Sequence, residues 1–215
     1  MSGRLSWYTS LSLLYLKIMT ISVQNITAVV LAGGRGQRMG GIDKGLIELN
    51  SKPLIEYLLD SLKQQQVKTM INANRNLERY QEFNVPVFGD EHADFQGPLA
   101  GFYAAMNQID TDFIVTLPCD GPFIHCEYIS RFVDTYNSCQ ASVLVSKDSE
   151  RLQPVHALIK TDLKDNLVSF MESGERKIDR WYAQNNFETV DFSDNTDMFL
   201  NINRPDDLDV IKSRV

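Results

Sequence analysis

Hydrophobic residues along this chain alternate between two periods. Ile26–Leu31, Val67–Ala73, Phe113–Leu117 and Ala141–Ser146 are short apolar, β-branched runs bounded by Gly, Pro, Asn or Asp, the signature of buried strands. Pro86–Gly89, Pro154–Lys160, Phe187–Phe192 and Met198–Ile202 read as further strands, and Leu46–Leu49 as a short extended piece. Between them the spacing turns helical. Leu54, Ile55, Leu58, Leu59 and Leu62 recur through Gln66, with Lys52-Pro53 where that helix should start. Helices are also expected over Arg75–Phe83, from Gly97 to about Ile109, and over Cys126–Tyr136, Asp162–Glu172, Lys177–Gln184 and Pro205–Lys212. Strands alternating with helices imply an α/β fold with a mainly parallel sheet and helices on both faces.

No stretch reads as an interdomain linker, so residues 25–215 are expected to form a single domain. Residues 1–24 are expected to lie outside it. Leu5–Ile18 is apolar, but Lys17 interrupts it, no small-residue cleavage site follows, and it is too short to span a bilayer. Met19 is a candidate alternative start; a chain beginning there should be soluble and active.

Ligands of open α/β sheets bind beyond the carboxyl ends of the strands. Here those positions carry Gly33–Lys44, Asn72, Asp90 and Asp120. The first is the most distinctive. Five glycines fall within the nine residues Gly33–Gly41, together with Arg35 and Arg38, and Lys44 follows. Glycine lets backbone N–H groups approach phosphate oxygens, and fixed cations neutralise them. Neither familiar phosphate loop fits. G-x-G-x-x-G fails at Met39, and G-x-x-x-x-G-K-[ST] fails at Ile42.

Charge sharpens this reading. The chain has 21 Lys and Arg against 28 Asp and Glu, a net charge of −7, which disfavours nucleic acid and anionic membrane as partners. A cationic loop in an acidic protein suggests one small anionic ligand. The three cysteines, Cys119, Cys126 and Cys139, form no metal-type pairs and argue for a reducing, cytoplasmic compartment.

Asp120 ends a buried apolar strand in the turn Pro118–Pro122. It can present oxygen to Mg²⁺, which binds one or two protein carboxylates and completes its shell with water and substrate phosphates. Such an Asp could instead cap the next helix; beside a basic glycine loop, metal binding is the better reading. Arg38 and Lys44 would neutralise a triphosphate, Arg as a bidentate donor and Lys as a point charge. Asn72 could read a base edge, and Asp90 a ribose hydroxyl or the guanine N1–H/N2–H edge; both could instead simply shape turns. Gly97–Gly101 is either an anion site at a helix N-terminus or a packing element.

The stretch LAGGRGQRMGGIDKGLIELNSKPL resembles the opening of the GT-A-like nucleotidyltransferases, and in detail that of the molybdenum cofactor guanylyltransferases. The likeness continues through NANRNLERYQ (72–81), GPLAG (97–101) and CDGPFI (119–124), and resumes in VDFSDNTDMFLNINRPDDL (190–208). It implies a Rossmann-like, GT-A-like fold and transfer of GMP from Mg·GTP to the terminal phosphate of molybdenum-bearing molybdopterin. It places GTP contacts on Leu31, Ala32, Gly33, Lys44, Asn72, Asp90 and Asp120, with Asp120 as the magnesium ligand, and suggests Asn201 and Asn203 for the pterin pocket. As further partners it implies molybdenum-insertion proteins and molybdoenzyme chaperones. Two alternatives stand beside it: a relative using CTP or a sugar-phosphate acceptor, and a non-catalytic GTP-binding adaptor that only delivers the cofactor.

Overall fold

The computed structural model describes residues 19–34, 42–90, 97–202 and 205–212. The glycine loop between 35 and 41, and with it Arg38, lies outside the described residues, as do residues 1–18 and Asn203.

In chain order the elements are β1 (Ile26–Leu31), β2 (Glu48–Leu49), β3 (Lys52–Pro53), α1 (Leu54–Gln64), β4 (Lys68–Asn72), α2 (Leu77–Gln81) and β5 (Val87–Phe88). There follow α3 (Pro98–Gln108), β6 (Phe113–Pro118), α4 (Tyr128–Cys139), β7 (Val143–Lys147), β8 (Leu152–Lys160), α5 (Lys164–Glu172), α6 (Ile178–Ala183), β9 (Phe187–Asp191) and α7 (Pro205–Lys212). Seven strands form one sheet in the order β5-β4-β1-β6-β8-β7-β9. Only β8 runs against the rest. It follows β7 through a four-residue connection, too short for the crossover that a parallel partner requires, so the pair is a hairpin.

β1 shows why the sheet is two-faced. Ile26, Ala28 and Val30 pack with Ile55, Leu58 and Leu62 of α1 and with Ile129, Phe132 and Tyr136 of α4. Val29 faces the other way, toward Leu99, Phe102 and Met106 of α3, Leu167 and Phe170 of α5, and Trp181 of α6. Side chains alternate across a strand, so a strand covered on both faces must be apolar throughout, as ITAVVL nearly is.

Three expectations change or sharpen. Lys52-Pro53 is itself extended, with Pro53 as the N-cap of α1. It pairs with Glu48–Leu49 as a minimal hairpin whose turn residues Asn50 and Ser51 have φ of 51° and 62°, both left-handed as a type I′ turn demands. Only then does α1 start. Met198–Ile202 is not a strand: Thr196–Phe199 is a 3-10 turn, and the Ile202 N–H is given to the Asp120 carbonyl at 2.9 Å, not to a strand ladder. The segment braces the loop after β6.

Residues 19–24 are not outside the fold either. Ile21 is buried, and the Asn137 side chain of α4 brackets it, accepting from its N–H at 2.8 Å and donating to its carbonyl at 3.1 Å. An apolar residue with both backbone groups satisfied belongs to the core.

Candidate active site

The four parallel strands β5, β4, β1 and β6 end level with one another. Leu31 is in register with Asn72 on one side and Pro118 on the other, and Asn72 with Phe88. The pairing runs on past the strand ends: Ala32 N–H donates to the Asn72 carbonyl at 2.7 Å and Cys119 N–H to the Leu31 carbonyl at 3.1 Å. The residues that follow the strands therefore rise from one edge, in the spatial order Asp90, Asn72, Gly33, Asp120. Three strand spacings, about 14 Å, separate the two ends.

At the β6 end, the Lys44 ammonium donates to Asp120 Oδ2 at 2.9 Å. The other oxygen, Oδ1, is buried and has no hydrogen-bond partner among the described residues. A buried carboxylate oxygen left without a donor is costly, so this atom calls for a cation or a ligand donor. Its chemistry fits Mg²⁺, a hard cation that prefers carboxylate oxygen.

Lys44 opens a single 3-10 turn, Lys44–Leu46, and is anchored from its other side by Asp43. The Asp43 carboxylate is buried. It accepts from the Tyr80 hydroxyl at 2.5 Å and from Asn76 Nδ2 at 3.0 Å, and pairs with Arg75 Nε at 3.7 Å. Burial pushes the Tyr80 phenol well above its ordinary range, so it stays a donor. A Cβ on Gly45 would come 2.8 Å from that hydroxyl, which is why the turn needs glycine there. Cys119 lies on the same contact, and burial, followed by the Asp120 and Asp43 charges, raises its thiol far above the usual value. It packs as a protonated side chain and is no nucleophile.

At the β5 end, Asn72 Nδ2 donates to Asp90 Oδ1 at 2.9 Å. Leu31 and Gly101 of α3 shape this pair: a Cβ on Gly101 would lie 2.8 Å from Asn72 Oδ1 and 2.9 Å from Leu31 Cδ2. Gly101 thus gives the Asn72 amide room, the packing role of the two considered for Gly97–Gly101. Gly33 stands over the Asn72 and Asn74 amides, while Ala32 is buried with its N–H committed.

The structure therefore brings Leu31, Ala32, Gly33, Lys44, Asn72, Asp90 and Asp120 to one edge, with Lys44 paired to Asp120 and Asn72 to Asp90. Asn201 packs on the turn that carries Asp120: its Oδ1 would be 3.0 Å from a Cβ on Gly121. Sequence reasoning missed Asp43, Tyr80 and Asn74. The available signals were the acidic residue directly before Lys44 and the second asparagine in NANRN. Among the described residues no group of three His, Cys, Asp or Glu side chains could hold a metal by itself, and no helix is long and apolar enough to cross a membrane.

Both the sequence and the fold have known relatives. The molybdenum cofactor guanylyltransferases of Shewanella baltica and Shewanella woodyi are each 45% identical over 181 residues, covering 84% of this chain and 92% of theirs. The solved structure of molybdopterin-guanine dinucleotide biosynthesis protein A from Archaeoglobus fulgidus superposes with a TM-score of 0.72 at 24% identity, covering 87% of this chain and 97% of that one, and has the same fold. Residues 28–189 match the MobA-like NTP transferase domain, which takes in all the strand ends described above. The chain belongs to the MobA-like NTP transferase family and is a nucleotidyltransferase.

Proposed function

We propose that this enzyme transfers GMP from GTP to the terminal phosphate of molybdenum-bearing molybdopterin, releasing pyrophosphate and forming the guanine dinucleotide cofactor. The observation that carries the reading is the order of groups along one sheet edge. Acceptors and amides that suit a base stand at β5 and β4, a glycine where the chain must come close stands at β1, and a cation–carboxylate pair that suits phosphates stands at β6. The naming of the Shewanella relatives supports a guanylyl group and the molybdenum cofactor as the two substrate parts.

In this reading a phosphate oxygen of the acceptor attacks the α-phosphorus in line. A new P–O bond forms as the bond to the β-phosphate breaks, and pyrophosphate leaves with the electron pair. No general base is required, because a phosphate monoester is already ionised at neutral pH. Lys44 offsets charge on the departing pyrophosphate, together with Arg38 from the glycine loop. Asp90 accepts from the guanine N1–H/N2–H edge and Asn72 holds its carboxylate. Asp120 would hold Mg²⁺ through Oδ1, and the bound ion would neutralise phosphate oxygens and orient the triphosphate. Cysteine usage supports a cytoplasmic setting, with molybdenum-insertion proteins and molybdoenzyme chaperones as neighbours in the pathway.

The test is conversion of molybdopterin to its dinucleotide by the purified enzyme with GTP and Mg²⁺, with CTP and ATP run in parallel and pyrophosphate release followed. Turnover with GTP alone is expected, and Asp120→Ala should abolish it. Preferential use of CTP would overturn the guanine assignment, and full activity in Asp120→Ala the metal assignment.

A further inference from the structure

We propose that Asn74 sets the enzyme's choice of purine by holding the Asp90 carboxylate in the orientation that accepts from the 2-amino group of guanine. This rests on the reading of Asp90 as the guanine acceptor. Asn74 would be a positioning residue, acting through Asp90.

The geometry is a two-point clasp. Asn74 Nδ2 donates to Asp90 Oδ2 at 2.7 Å, and Asn74 Oδ1 accepts from the Asp90 backbone N–H, also at 2.7 Å. One amide thus grips both the main chain and the carboxylate of the same residue, which fixes the backbone and the side-chain rotation together. Asn72 supplies the other oxygen with its own donor at 2.9 Å. Each carboxylate oxygen then has one protein donor and further lone-pair capacity, because an ionised carboxylate offers about four acceptor sites. Two acceptors held side by side match the paired N1–H and N2–H donors of guanine. Hypoxanthine keeps only the N1–H, and adenine presents an acceptor at N1.

Asn74 also packs against Gly33 of the loop after β1. A Cβ on Gly33 would fall 2.7 Å from Asn74 Nδ2, and one on Gly89 3.4 Å from its Oδ1, so the clasp sits closed between the loop after β1 and the turn that carries Asp90. The next residues turn to the other end of the site. Arg75 and Asn76 both engage Asp43, the neighbour of Lys44, and Asn76 takes a left-handed φ of 51° to do so. The run Asn72–Asn76 therefore braces the base end with two amides and the phosphate end with two further donors. A residue that merely shaped the turn would need only the bond to the backbone N–H. The second bond, to the carboxylate, gives Asn74 a place in base selection.

The experiment compares GTP with ITP, which lacks only the 2-amino group, in the same pyrophosphate-release assay and in equilibrium binding, for the full chain and for Asn74→Ala, Asn74→Asp and Asp90→Asn. Losing one well-placed polar contact in a site built to make it separates two substrates by about 10-fold or more, the preference for GTP expected of the native enzyme. Asn74→Ala should reduce that preference to less than about threefold, with the loss falling on the KM for GTP. Asn74→Asp keeps an acceptor for the Asp90 N–H but not the donor, so it should lose the preference too. It answers the question if the alanine variant does not fold. An unchanged GTP-to-ITP ratio in both Asn74 variants, with the ratio lost in Asp90→Asn, would overturn the role of Asn74 and leave the Asp90 reading standing. An unchanged ratio in Asp90→Asn would overturn that underlying reading instead.

Discussion

Lys44→Met offers the sharpest probe of how the phosphate end works. The Lys44 ammonium lies 2.9 Å from Asp120 Oδ2, and the two side chains are 21% and 15% exposed. It therefore holds one oxygen of the carboxylate whose other oxygen, Oδ1, should receive a divalent cation, and its own positive charge opposes that cation until a triphosphate draws the ammonium away. A hydrogen bond to a charged group contributes about 1.5–3 kcal/mol. Releasing that contribution to an incoming metal corresponds to a gain in affinity of roughly 10- to 100-fold, at 1.4 kcal/mol per factor of ten. The isosteric Lys44→Met should therefore bind Mn²⁺ or Mg²⁺ more tightly than the native enzyme in the absence of nucleotide. Titration calorimetry, or manganese resonance on the nucleotide-free protein, reads this directly. Turnover with GTP should move the other way and fall by roughly 100-fold or more, because the leaving pyrophosphate loses a cation. Thermal unfolding adds a third reading: without metal the variant should melt earlier, its Asp120 lacking a cationic partner, and added metal should recover the loss. If metal binds the variant no more tightly than the native enzyme, Lys44 is not the competitor for Asp120 and the account of the pair fails.

Two further outcomes follow from other contacts. Gly101→Ala would place a methyl 2.8 Å from Asn72 Oδ1 and 2.9 Å from Leu31 Cδ2, both ends of side chains that can swing aside; the fold should survive, but Asn72 should turn from Asp90 and the KM for GTP should rise by roughly tenfold. An unaltered KM would mean the amide is not in use. His156 is buried beside Tyr128 and Phe199, and burial lowers its pKa to about 3. A histidine with a depressed folded pKa favours the fold while neutral; below about 6.5 the unfolded chain takes up the proton and the folded one does not, so stability falls as pH drops toward 3. At pH 5 the difference is about 2 kcal/mol, from 1.36 kcal/mol per pH unit. In denaturant unfolding at pH 7 and pH 5, His156→Gln should lose less stability than the native chain by about that amount, and equal losses would rule out the histidine as the source.

Local sequence determined much of this protein. The apolar runs at β1, β4 and β6 and the 3.6-residue spacing in α1 are read from neighbours a few residues apart, because strand and helix periods are local properties. That Asn72, Asp90, Lys44 and Asp120 come to one sheet edge was also legible, since parallel strands all deliver their carboxyl ends to the same side. The tertiary structure decided what those residues touch. The antiparallel β8, the Asn50-Ser51 hairpin and the 196–202 segment that braces Asp120 depend on partners that no local window contains. The same holds at the site. Asp43 meets Tyr80 across 37 residues, and Asn74 meets Asp90 across 16. A side chain's chemistry is written in its own residue type, but its orientation is set by whichever distant donor or acceptor the fold brings within about 3 Å, and only the folded chain fixes that.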